Sequence, residues 1–221
     1  MNRGEIRTLA AAFVEDPNQT KYNSTKYNDA IEKSQQQFAM DSKALYADSA
    51  ITMVKDQAAY SLPTDFMYEK AVSLNGLGLE PISRATLDFY RTSERWDDDA
   101  GTPKYYIIDP KEASKTITLF PIPNSTDAGT SLVLTYYPYP AAMTADSDIP
   151  LNSSALMLQF HIGIAAYASW LLLMYLQQSP EIVQKRNELL KTYTDKINDA
   201  IQTFGDTKSE QLRMKGGRYW K

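Results

Sequence analysis

The chain has 221 residues, enough for one substantial core or two small domains, and its 43% hydrophobic and 23% charged content is that of a folded protein rather than a disordered one. A net charge of −4 supplies no clustered basic face for reading nucleic-acid sequence, and the lack of cysteine excludes disulfides and thiolate metal sites. Tyrosine stands out with 15 copies; an apolar ring with a polar tip suits wet strands and protein interfaces. Met1-Asn2-Arg3-Gly4-Glu5 lacks the charged-then-apolar layout of a secretory signal, which points to assembly in a cytoplasm.

Ile6, Leu9, Ala10 and Phe13 follow the three-and-four spacing of one helix face, and Asp16-Pro17-Asn18 stops that helix. After the N-cap candidates Ser24 and Thr25, the residues Tyr27, Ile31, Phe38 and Leu45 recur at helical intervals, which predicts a second, narrowly amphipathic helix running to about Val54. Gln35, Gln36, Gln37, Lys43 and Asp48 fill its other faces, so the thin seam suits a small helical bundle.

From Asp56 to Pro150 short stretches rich in Tyr, Ile, Val and Thr alternate with Pro, Gly and Asp, the pattern of a β-rich region. Strands are predicted at residues 58–62, 68–74, 104–108, 116–120 and 131–137. Period-2 alternation is clear in Ile117/Leu119 and in Leu132/Leu134/Tyr136. The turn-rich run from Asn124 to Thr130 predicts a hairpin between the last two strands. Residues 83–90 fit either a short helix or an irregular insert.

Helical pattern returns near Ser153 or Ser154 and runs to Gln178, where Gln-Gln-Ser-Pro ends it. This is the most apolar segment, but Gln159, His161 and Ser169 interrupt it and no Lys/Arg cluster flanks it closely. It therefore reads as a helix buried on most sides rather than a membrane span. In the next helix, from Glu181 to Phe204, Val183, Leu190, Ile197 and Phe204 stand seven apart, with Tyr193 and Ala200 in the second seam position. The short Ser179-Pro180 turn makes the two helices antiparallel neighbours. Beyond Gly205-Asp206 lies a tail whose last eleven residues carry Arg213, Lys215, Arg218 and Lys221 with no acid, together with Met214, Gly216, Gly217, Tyr219 and Trp220, and no periodicity to fold alone.

The inventory for chemistry is thin. A Ser/His/Asp triad would need His161, the only histidine, as its base, yet that residue lies in the most apolar helix, where a buried histidine bonded to a neighbour is expected. Metal sites reduce to oxygen ligands; Asp97-Asp98-Asp99 is dense but lacks the alternate spacing of an EF-hand loop and reads as a solvated loop, with calcium as the alternative. Gly76-Leu77-Gly78 begins like a dinucleotide fingerprint, but Pro81 occupies the place of the third glycine. No phosphate-binding GKS or GKT loop exists, and nothing nominates a pair of catalytic carboxylates. No cofactor is called for, and the chain reads as a non-enzyme.

The expected architecture is α+β: a four-helix bundle of two N-terminal helices (1–55) and two C-terminal helices (151–205), an inserted antiparallel β-domain (56–150), and a flexible C-terminal tail (206–221). This order of parts resembles the head-to-tail adaptor proteins of tailed bacteriophages. The likeness is carried by Tyr60-Ser61-Leu62-Pro63-Thr64-Asp65-Phe66, Gly101-Thr102-Pro103-Lys104-Tyr105-Tyr106, Leu119-Phe120-Pro121-Ile122-Pro123, Tyr136-Tyr137 and Asp148-Ile149-Pro150-Leu151. The resemblance implies a virion component at the head-tail junction. It implies a ring of subunits, usually twelve, beneath the portal protein, continuing the channel through which double-stranded DNA passes without sequence-specific contact, with no membrane involved. It also implies attachment of tail nozzle, tube or fibre proteins, a part in genome ejection, and docking of the segment from Arg213 to Lys221 on the portal. A tail receptor- or glycan-binding module, or an adaptor with cell-wall hydrolase activity, are the alternatives; neither accounts better for helical pairs flanking a sheet.

Overall fold

A computed structural model of the chain describes residues 1–87, 100–108, 115–151, 155–176 and 179–204. The fold is mixed α+β and divides into two compact units: a helical one from Met1–Leu45 with the described part of Tyr139–Lys221, and a β unit of Tyr46–Pro138.

The helical unit begins with α1 (Arg3–Phe13). Asn2 caps it in a reciprocal box: its side chain accepts the Glu5 amide at 2.8 Å and its own amide donates to the Glu5 carboxylate at 3.0 Å. α2 (Ser24–Ser42) is capped by Asn23, one residue before the expected Ser24 or Thr25, through a 3.0 Å bond from the Lys26 amide. Its buried seam contains Tyr27, Ile31 and Phe38, as the spacing predicts. The helix does not continue to Val54. Lys43 takes a left-handed conformation (φ 50°) and ends it, and the following residues form a strand instead.

A 3-10 helix (Ala155–Phe160) leads into α3 (His161–Leu173), so the long helix expected from residue 153 to 178 is a tighter turn followed by a shorter α-helix. α3 is apolar on nearly every side because α1, α2 and α4 (Pro180–Phe204) all pack on it. Gly163 lies near Lys196, the Tyr167 ring packs at a tilt on Tyr193 and Trp170 meets Arg186, so numbers rise on α3 as they fall on α4 and the pair is antiparallel. The buried register of α4 is Leu189, Tyr193, Ile197 and Ala200; Val183 and Leu190, which continue the predicted heptad, are exposed. Two aromatic rungs complete the interior, Phe38 on Phe160 at 5.9 Å and Phe160 on Phe204 at 5.8 Å between ring centroids.

Among the described residues, the β unit holds two four-stranded sheets. The first has the order β1 (Ala47–Thr52), β8 (Ser131–Pro138), β3 (Phe66–Leu74), β4 (Leu77–Gly78), and is antiparallel throughout. The second has the order β2 (Ala59–Ser61), β7 (Thr116–Phe120), β6 (Tyr105–Ile108), β5 (Glu80–Pro81). β5 pairs parallel with β6, so this sheet is mixed rather than antiparallel as expected. The predicted hairpin between the last two strands does not form: β7 and β8 belong to different sheets. The residues between them are a crossover, in which the Asn124 side chain receives the Thr126 and Asp127 amides and Gly129 adopts φ 81°. One core joins both sheets, drawing Val72, Leu132, Leu134 and Tyr136 from the first and Tyr60, Tyr106, Ile117 and Leu119 from the second.

Candidate docking surfaces

The residues singled out for portal attachment, Arg213, Met214, Lys215, Gly216, Gly217, Arg218, Tyr219, Trp220 and Lys221, lie outside the described residues, as do Asp97, Asp98 and Asp99. Among the described residues no group of three His, Asp or Glu side chains could hold a metal ion, and no helix is long and apolar enough to cross a membrane.

His161 is fully buried, as expected, but neither ring nitrogen has a hydrogen-bond partner. Burial pushes its pKa down to about 4, with the nearby N-terminal amine acting in the same direction. An imidazole enclosed in this way cannot reach a substrate proton, so it offers no base for hydrolysis.

The N-terminal turn of α1 is clasped to the segment that returns from the β unit. Arg3, itself buried, donates to the carbonyls of Met143 at 2.7 Å and Thr144 at 3.0 Å and to Asp146 at 3.1 Å. Arg7 meets the Asp146 carboxylate with both terminal nitrogens, at 2.8 and 2.6 Å. Hydrogen bonds from Arg7 and Arg3 hold the Asp146 carboxyl below the usual carboxylate range, and the Ala145 and Thr144 amides do the same for Asp148.

Among the described residues, each unit carries a concave surface. In the helical unit a cleft of about 380 Å³ opens between α2 and the end of α3, floored by Ala30, Leu171 and Leu172 and edged by Lys26, Lys33 and Tyr175. Tyr22 closes one side by donating to the Leu172 carbonyl at 2.9 Å, and Tyr175 is 79% exposed. In the β unit a cleft of about 440 Å³ is lined by Leu74, Leu77, Leu79, Pro103, Lys104 and Tyr105. It lies beside the hairpin between β3 and β4, whose two turn residues Asn75 (φ 51°) and Gly76 (φ 78°) both adopt positive φ, the requirement of a type I′ turn. That turn carries Leu77 out to 75% exposure. Sequence reasoning passed over this surface because the run Gly76-Leu77-Gly78 drew a nucleotide comparison; the Asn-Gly dipeptide between apolar residues was the signal that marks it.

No curated protein matches the chain. A family model described as SU10 adaptor protein matches residues 1–215, which takes in both units. The chain therefore belongs to the SU10 adaptor protein family, a family of phage head-to-tail adaptors.

Proposed function

We propose that this chain is a passive structural ring subunit at the head-tail junction of a virion, docked beneath the portal, where it extends the DNA channel and receives the next tail component. The match across residues 1–215 carries this reading, because it spans the helical unit, the β unit and the start of the tail rather than one module. In this reading α1, α2, α3 and α4 act as a four-helix bundle that builds the ring, and the inserted β unit offers its Leu77 hairpin to nozzle, tube or fibre proteins.

The tail attaches the subunit to the portal. Fixing its last eleven residues costs on the order of 1–2 kcal/mol each in backbone entropy, and an external surface must offset that. Tyr219 and Trp220 are the anchors, each ring able to bury roughly 150–250 Å², while Arg218 and Lys221 pair with acids on the portal and Gly216-Gly217 lets the chain bend. Twelve such tails bind far more tightly than one, since later contacts become intramolecular.

The test is the double variant Y219A/W220A. It is expected to keep the circular dichroism and melting of the parent and to lose co-sedimentation with portal rings. Undiminished portal binding would remove these residues from the docking site.

A further inference from the structure

Sheet proteins guard their exposed strand edges with shortness, bulges, lysines or prolines. Most edges here follow that rule. β2 has three residues, and β4 and β5 have two each. Where β3 runs beyond β4, its register is broken between Phe66 and Tyr68 and between Glu69 and Ala71, and Lys115 caps the Phe66 carbonyl at 2.8 Å. β1 has none of these guards. It contains no lysine or proline and pairs with β8 in unbroken register from Ala47 opposite Tyr136 to Thr52 opposite Ser131. Among the described residues no strand pairs with its outer side.

The two faces of β1 specify what would fit beside it. Ala47 and Ile51 pack against the core of the β unit, whereas Asp48, Ala50 and Thr52 are exposed. Asp48 receives the Thr135 hydroxyl at 2.6 Å and meets no cation among the described residues. An added strand therefore needs apolar side chains at alternate positions to extend the Ala47/Ile51 face, and cations between them to lie beside Asp48.

The chain carries such a segment. Leu212-Arg213-Met214-Lys215 alternates apolar and basic residues, and Gly216-Gly217 separates it from Arg218-Tyr219-Trp220-Lys221. Residues 205–211 between α4 and this segment can span roughly 25 Å when extended, at about 3.3–3.6 Å per residue.

We propose that residues 212–215 of one copy add to the outer side of β1 of a second copy as a further strand, which leaves residues 218–221 to the portal. The contact joins two different patches, so it repeats head to tail, as the neighbours in a ring require. It rests on the ring reading given above and supplies that ring with a copy-to-copy contact.

The lack of cysteine allows an unambiguous test by engineered pairs. Because side chains alternate along a strand, A50C shares a face with R213C and K215C but not with L212C and M214C. In rings assembled on portal, A50C combined with R213C or K215C is expected to oxidise into a ladder of disulfide-linked multimers, and A50C combined with L212C or M214C to lose that ladder. Links confined to one chain, dimers formed by A50C alone, or equal yields for all four partners would each overturn the proposal. Intact rings by electron microscopy with no links would overturn it while leaving the ring reading in place, whereas the absence of rings would overturn both.

Discussion

The phenol of Tyr193 on α4 donates to the carboxylate of Asp41 on α2, 2.6 Å away, while its ring packs edge-on against Phe38 at 6.1 Å between centroids. One side chain thus ties helices from opposite ends of the chain. Removing only the hydroxyl, in Y193F, is expected to cost about 1 kcal/mol, because Asp41 is exposed and water replaces the lost donor. Removing the ring, in Y193A, is expected to cost about 3–5 kcal/mol. Denaturant unfolding of the two variants separates the contributions; equal losses would mean that the ring does not pack as described.

Phe38 is fully buried between Phe160 and Tyr193. F38A should lose about 3–5 kcal/mol of stability by the same measurement. A loss below about 1 kcal/mol would take Phe38 out of the core.

Close approach of α3 and α4 depends on Gly163. A Cβ built there would lie 2.9 Å from the Lys196 Cβ and 3.3 Å from the Phe38 ring. G163A is expected to destabilise the protein by about 1–3 kcal/mol despite alanine's better helix propensity, because backbone-proximal atoms must move. An unchanged or raised melting temperature would show that the helices can separate without cost.

Acid should act in two stages. His161 has its pKa depressed by burial from 6.5 to about 4, so the unfolded chain binds the extra proton first; the related stability is complete above pH 6.5 and declines as pH falls towards 4. Asp16 is opposed by burial, which would raise its pKa, but the amides of Lys21, Tyr22 and Thr20 and the Thr20 hydroxyl bring it down from 3.8 to about 2. Its contribution is complete above pH 3.8 and is lost as pH falls to about 2, and Asp146 and Asp148, also lowered, lose theirs in the same direction. Urea midpoints measured against pH should show H161L removing the slope of the upper window and D16N reducing that of the lower. Identical profiles for parent and H161L would contradict the enclosed imidazole. Infectivity of particles carrying H161Q should remain near that of the parent once protein level is corrected, since the proposed role as a conduit requires no proton transfer.

Much of the fold was legible because burial imposes periodicity. The Tyr27, Ile31, Phe38 seam and the alternation in residues 116–120 and 131–137 reappear in α2, β7 and β8. β1 was hidden because Leu45 extends the heptad from Phe38, and the residue that ends α2 in left-handed geometry is Lys43 rather than glycine. Strand partners were the harder matter. The turn chemistry at Asn124 to Gly129 marks a reversal equally well whether the chain returns to the same sheet or crosses to the other, so β7 and β8 were paired wrongly. On α4 the heptad spacing is compatible with two adjacent seams, and contact with α3 selects the one through Leu189 rather than Leu190. Of the candidate site, the Leu77 hairpin was signalled by Asn75-Gly76, while the open edge of β1 depends on pairing between distant strands that no local pattern reveals.

In the proposed function this chain is a ring subunit seated on the portal. Electron microscopy of the purified full chain mixed with the portal of the same phage tests it most directly. The expected result is a ring of adaptor density, twelvefold where the portal is, coaxial with the portal channel. Bare portal rings beside unassembled adaptor, under conditions where both proteins are folded, would contradict it.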